Sequence, residues 1–173
     1  MIAGAVAIPS PPAIFREEQS FGWWIYAAVA LLAVVGLGFH GRVAPPRGPA
    51  WSLELPLVVA VGVGLPAVLV VGVLRLTTEV RPGEVRVWFG WVPSYRRSIA
   101  LASVKAVEVG RYRPLRDHKG WGVRHGPAGE LALTARGSRC VRLHFDDGQV
   151  ILIGSQQAEV LARAIEQAKI ASG

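Results

Sequence analysis

The stretch LPLVVAVGVGLPAVLVVGVL (Leu55–Leu74) runs directly into RLTTEVRPGEVRVWF (Arg75–Phe89). The first part holds thirteen Val and Leu and no charge. A helix that crosses a hydrocarbon core of roughly 30 Å needs about 17–25 apolar residues. Each Val or Leu near its centre favours insertion by roughly 0.3–0.6 kcal/mol. Leu55–Leu74 is therefore expected to span a membrane, with Pro56 tolerated in the first turn and Pro66 kinking the middle. At Arg75 the chain turns basic and begins to alternate with the period of a strand.

Working towards the N-terminus, Gly22–Phe39 is a second apolar run, opened by Trp23, Trp24 and Tyr26, a spacing suited to the headgroup level of a bilayer. Glu17 and Glu18 stand before it, where a secretory leader would carry positive charge, so it reads as a span and not a leader. The connection from His40 to Glu54 is short and held extended by Pro45, Pro46 and Pro49. Arg16, Arg75, Arg81 and Arg86 flank the two runs on one side, against Arg42 and Arg47 between them. Positive residues concentrate on the cytoplasmic side, so both termini are expected in the cytoplasm. The expected division is residues 1–20 as a juxtamembrane segment, 21–75 as a hairpin with helices near 22–39 and 55–74, and 76–173 as a soluble domain. Ala60, Gly62, Gly64 and Gly72 give the second helix a small-residue face for close packing on the first. Neither run carries an ionisable residue, which argues against a channel or transporter.

The segment before Arg75 balances Arg16, Arg42 and Arg47 against Glu17, Glu18 and Glu54, so the net charge of +7 belongs to residues 75–173. Anionic lipid is one acidic partner for such a domain, at about 1 kcal/mol per basic residue near its surface. Nucleic acid, the other common acidic partner, is not expected, because no recognition helix or RNA-binding strand motif accompanies the charge. The single cysteine, Cys140, can form no intramolecular disulfide and reads as a buried strand residue.

Beyond Arg75, strands are expected at Thr77–Val80 and Val85–Phe89 around the turn Arg81-Pro82-Gly83-Glu84, then at Tyr95–Ile99, Val104–Val109 and Leu131–Thr134. Val141, Leu143 and Phe145 alternate with Arg142 and His144, and Asp146-Asp147-Gly148 closes a hairpin onto Val150–Ile153. Val160, Leu161, Ala164, Ile165 and Ala168 then recur at helical spacing, with Ser155 as the expected N-cap. About seven antiparallel strands and a C-terminal helix suggest a mainly-β barrel of pleckstrin-homology-like (PH-like) type behind an α-helical transmembrane hairpin.

Three segments carry a resemblance. Phe15-Arg16-Glu17-Glu18-Gln19-Ser20-Phe21 with Trp23-Trp24, then Pro114-Leu115-Arg116 with Gly120-Trp121-Gly122-Val123-Arg124, and Asp147-Gly148 through Ile153-Gly154-Ser155 with Glu159-Val160-Leu161 and Ala164-Ile165 are similar to an uncharacterised family of small prokaryotic membrane proteins. The resemblance implies two transmembrane helices and a bacterial PH-like domain, and implies no catalytic or ligand residue. Leu131-Ala132-Leu133 departs from its pattern, which has an aromatic residue and an Asn in that region.

Arg111 to His125 is the long polar loop of this half. Arg111, Arg113, Arg116, Lys119, Trp121 and Arg124, with Arg96 and Arg97, are the candidate contacts for a ligand or partner. Charges for headgroups and one amphipathic ring fit an anionic surface, while Trp121 between Gly120 and Gly122 also fits a structural plug. His118, His125 and His144 with Asp146 and Asp147 lack the spacing of a metal site, and Ser138, Ser155 and Cys140 lack a nearby base. No cofactor is implied. The reading is a membrane-anchored, non-enzymatic interaction or scaffold protein, bound to an unidentified protein or to itself. The alternatives are recognition of an anionic lipid headgroup at the inner leaflet and, third, an enzyme or a transporter accessory subunit.

Overall fold

The structure, a computed structural model, describes residues 12–43, 60–91, 93–117, 120–126 and 129–171. Among the described residues nine strands form two sheets. The first is a four-stranded antiparallel sheet of β1 (Phe15–Ser20), β2 (Arg75–Arg81), β3 (Glu84–Phe89) and β4 (Tyr95–Ala100), in that order. A 3-10 turn, Leu101–Ser103, leads into the second. There β5 (Val104–Arg111), β8 (Arg139–Phe145), β9 (Val150–Gly154), β7 (Leu131–Thr134) and β6 (Gly122–His125) lie side by side, with β7 and β9 parallel and the other pairs antiparallel.

Alternation explains why these segments are strands. Successive side chains point to opposite faces, so Val85, Val87 and Phe89 enter the core while Arg86 and Trp88 stay on the outer face. Val141 and Leu143 do the same in β8, and Ile151 and Ile153 in β9. Both inner faces feed one apolar cluster, closed by a helix, Ala158–Ile170, that buries Ala158, Leu161, Ala164, Ile165 and Ala168. Burying a Leu or Ile side chain is worth about 1.5–3 kcal/mol, so this helix face is a main source of stability. Gly148 has φ 80, the left-handed conformation that the turn between β8 and β9 demands.

The two ends of the chain meet through buried polar contacts. Ser155 Oγ donates to Glu17 Oε2 at 2.5 Å, and the Gln156 N–H donates to Glu17 Oε1 at 2.9 Å. Gln19 Nε2 donates to the Gly154 carbonyl at 2.8 Å. Ser155 is not the N-cap of the last helix. That position is Gln157, whose N–H donates to Ser155 Oγ at 3.0 Å.

The expected transmembrane hairpin is not borne out. Among the described residues no helix is long and apolar enough to cross a membrane. The first run lies in α1 (Trp23–Val43), but its apolar part from Trp23 ends at Phe39, before His40 and Arg42. At 1.5 Å per residue that part measures about 25 Å, at the short limit for a core of roughly 30 Å. In place of a second span there is a π-helical turn, Ala60–Gly64, followed by α2 (Leu65–Val73), nine residues long. Pro66 has no N–H for the carbonyl four residues back, and the ladder changes type beside it. The assignment to a membrane with cytoplasmic termini loses its basis with the hairpin. The His40–Glu54 loop lies largely outside the described residues, as does Pro56.

The fold class is corrected with it. A hairpin joined to one closed PH-like barrel of about seven strands is replaced by nine strands in two sheets and a few helices. Two strands account for the difference in number. Residues expected as a lead-in form β1, paired to β2 from Phe15↔Val80 to Ser20↔Arg75, and β6 arises inside the polar loop. The remaining helices are α3 (Pro114–Asp117) and the C-terminal α4 (Ala158–Ile170).

Candidate functional site

In the five-stranded sheet β5 and β6 occupy opposite edges, about 19 Å apart at the usual strand spacing. The connection between them must therefore cross the sheet, and it does so along the turn between β7 and β8. The Tyr112 N–H donates to the Ser138 carbonyl at 2.8 Å, and Trp121 Nε1 donates to the Gly137 carbonyl at 3.4 Å. Two clefts flank this turn.

The first cleft, about 580 Å³, is lined by Arg111, Tyr112, Arg113, Arg116, Asp117 and Ser138. Arg111 ends β5, Arg113 follows one residue beyond Tyr112, and α3 carries Arg116 and Asp117. Asp117 is committed to the backbone: its Oδ2 accepts the Arg113 N–H at 2.9 Å, and its own N–H donates to the Arg113 carbonyl. Three arginines thus line one cleft, and none is ion-paired among the described residues. Tyr112 forms the inner wall. It is buried with Ala132, Cys140 and Leu152 in a small cluster on the outer face of the sheet. Burial pushes its phenol up to about 12 despite the Thr134 hydroxyl beside it, and pushes the Cys140 thiol up to about 11.

The second cleft, about 430 Å³, lies where β1 ends and α1 begins. Phe21, Trp23, Trp24, Tyr26, Trp121 and Arg136 line it, with Ser20, Gly22 and Gly137 between them. The Trp24 and Trp121 rings are 5.7 Å apart, tilted by 52°, a favourable aromatic geometry. A Cβ at Gly22 would lie 2.5 Å from Trp24 Nε1, so a larger residue there would displace the ring.

The candidate residues thus divide. Arg111, Arg113 and Arg116 come together, while Trp121 joins the neighbouring aromatic cleft. Arg124 lies on β6 and donates from Nε to the Trp121 carbonyl at 3.3 Å. Lys119 and His118 lie outside the described residues. Arg96 and Arg97 are separated by the pleat: Arg96 shares the outer face with its cross-strand partner Trp88, and Arg97 faces a 200 Å³ groove with His125 and Leu131. His144 stands 3.3 Å from Glu108. No group of three or more His, Cys, Asp and Glu is placed to hold a metal ion among the described residues. Sequence reading missed Ser138, Arg136 and the Trp23–Trp24 side of the site, whose membership depends on how distant turns meet.

No protein-family model matches this chain, and no curated protein sequence matches it.

Proposed function

We propose that this protein is a non-enzymatic binding module whose Arg111–Arg113–Arg116 cleft receives an anionic group of its partner. The observation that carries the reading is three arginines lining one cleft whose single carboxylate, Asp117, is engaged with the backbone. Guanidinium groups suit carboxylate and phosphate because their donors are planar and paired. A cleft of one sign also concentrates ligands of the other.

The neighbouring groups support binding over chemistry. A phenol held near 12 and a thiol held near 11 stay protonated at neutral pH, so neither serves there as base or nucleophile. Of the cleft's other side chains, Arg and Ser offer donors for an anion, and the Asp117 carboxylate is held by the Arg113 N–H.

Titration calorimetry of the full chain with hexaglutamate and with glycerol phosphate tests the reading. At least one should bind, weaken as salt is raised, and be lost in Arg111→Glu/Arg113→Glu/Arg116→Glu. Binding unchanged in that variant, or absent for both probes, would overturn it.

A further inference from the structure

The basic and aromatic clefts are neighbours along one turn. Gly137 lines the aromatic cleft and the next residue, Ser138, lines the basic one. The β5–β6 connection borders both, with Tyr112 in one wall and Trp121 in the other. From the aromatic cleft an apolar stripe continues along α1. Trp24, Ala28, Leu31, Leu32, Val35 and Phe39 fall at helical spacing along it, and Leu31, Leu32, Val35 and Phe39 are 60–71% exposed, as is Val34 on another side of the helix. Between Trp24 and Val35 the stripe measures about 16 Å. Trp23 and Trp24 at its start are 80% and 50% exposed.

We infer that the two clefts form one site, and that its ligand is an anionic lipid molecule. The phosphate of the headgroup lies among Arg111, Arg113 and Arg116, and the acyl chain runs past Trp24 and Trp121 along α1. The inference rests on the anion-binding reading above and adds the apolar half. Charge complementarity selects the phosphate end. An exposed apolar stripe of this size is itself unusual on a protein surface and marks a contact site. An acidic protein segment would satisfy the arginines and leave the stripe uncovered. A free phosphate ester would leave both the tryptophans and the stripe without a partner.

Four water-soluble probes separate these cases on the full chain, read by calorimetry and by tryptophan emission. They are dihexanoyl phosphatidylglycerol below its micellar concentration, glycerol phosphate, dihexanoyl phosphatidylcholine and hexaglutamate. The phosphatidylglycerol should bind at least tenfold more tightly than the other three and shift the emission. Trp24→Ala should reduce its affinity to that of glycerol phosphate while leaving glycerol phosphate binding unchanged, and Trp23→Ala, at a more exposed position, should weaken it in the same direction. Equal affinity for glycerol phosphate and phosphatidylglycerol, or no effect of either tryptophan variant, would remove the apolar half and leave the arginine cleft standing. Tighter binding of hexaglutamate would replace the lipid by an acidic protein, and equal binding of phosphatidylcholine would remove the headgroup charge from recognition. Failure of every anionic probe would overturn the arginine cleft as well.

Discussion

On the outer face of the four-stranded sheet Arg75, Arg81 and Arg86 each meet a carboxylate, those of Glu18, Glu79 and Glu84. Across the molecule Arg111, Arg113 and Arg116 meet none among the described residues. Arg16 joins the first group, 2.7 Å from Glu18 with its guanidinium 5.9 Å from the Trp88 ring. The Glu84 carboxyl is held below its ordinary range by hydrogen bonds from Arg86 and Ser98. The same side chain therefore has two uses. The pleat sets Arg16 beside Glu18, Arg81 beside Glu79 and Arg86 beside Glu84, each pair on one strand face. Strand pairing brings Arg75 to Glu18, so that this charge closes the surface of a sheet. The second group sits where the chain crosses a sheet edge to edge, with its charge turned into a cleft.

Removing an acid from the paired group should have the largest effect. Glu79 is 5% exposed, and its loss leaves Arg81 partly buried without its 2.5 Å partner. Breaking a buried pair in this way costs about 3 kcal/mol, so Glu79→Ala should lower urea-denaturation stability by about that amount. A loss under 1 kcal/mol would mean that the pair is solvated and the contrast with the cleft weaker. Reversing the unpaired group should do the opposite. Arg111→Glu/Arg116→Glu should leave thermal stability within a degree or two and lower anion affinity at least tenfold, equivalent to about 1.4 kcal/mol. A large fall in melting temperature would show that these arginines hold the loop.

The wall beneath the cleft gives a pH signature. Tyr112 and Cys140 are neutral when protonated, and burial raises them from 10.0 to about 12 and from 9.0 to about 11. In the unfolded chain both ionise at the lower values. Their contribution is thus complete below about pH 9 and is lost as pH climbs towards 11–12. Urea midpoints should fall over that window, and Cys140→Ala should flatten the early part of the fall. A flat profile would place this wall in contact with water. The smallest change belongs to the exposed pairs. Arg139→Ala, which removes the half-exposed contact with Glu159, should cost under about 1 kcal/mol.

What the sequence disclosed follows the range of each interaction. Val85, Val87 and Phe89 announce a strand by alternation alone, and the spacing of Leu161, Ala164, Ile165 and Ala168 announces a helix. β1 gave little such sign, because beyond Phe15 its inward residues are Glu17 and Gln19. Their burial is compensated by Ser155, Gln156 and Gly154, more than 130 residues later. The apolar runs were visible as composition, whereas the break of the second one into a π turn and a nine-residue helix depends on backbone geometry. Arg111, Arg113 and Arg116 were legible as a basic loop. Their cleft was not, because Ser138 closes it from another turn, and the side of a strand taken by Arg96 or Arg97 becomes functional only once a neighbouring edge is known.

The central claim is that position, and not net charge, makes the cleft arginines a binding site. The most direct measurement compares Arg111→Glu/Arg116→Glu with Arg96→Glu/Arg163→Glu, exposed positions outside both clefts that change the net charge equally. Titrated with dihexanoyl phosphatidylglycerol at fixed salt, the first variant should lose at least tenfold in affinity and the second less than twofold. Equal losses would contradict the claim and assign the binding to diffuse charge.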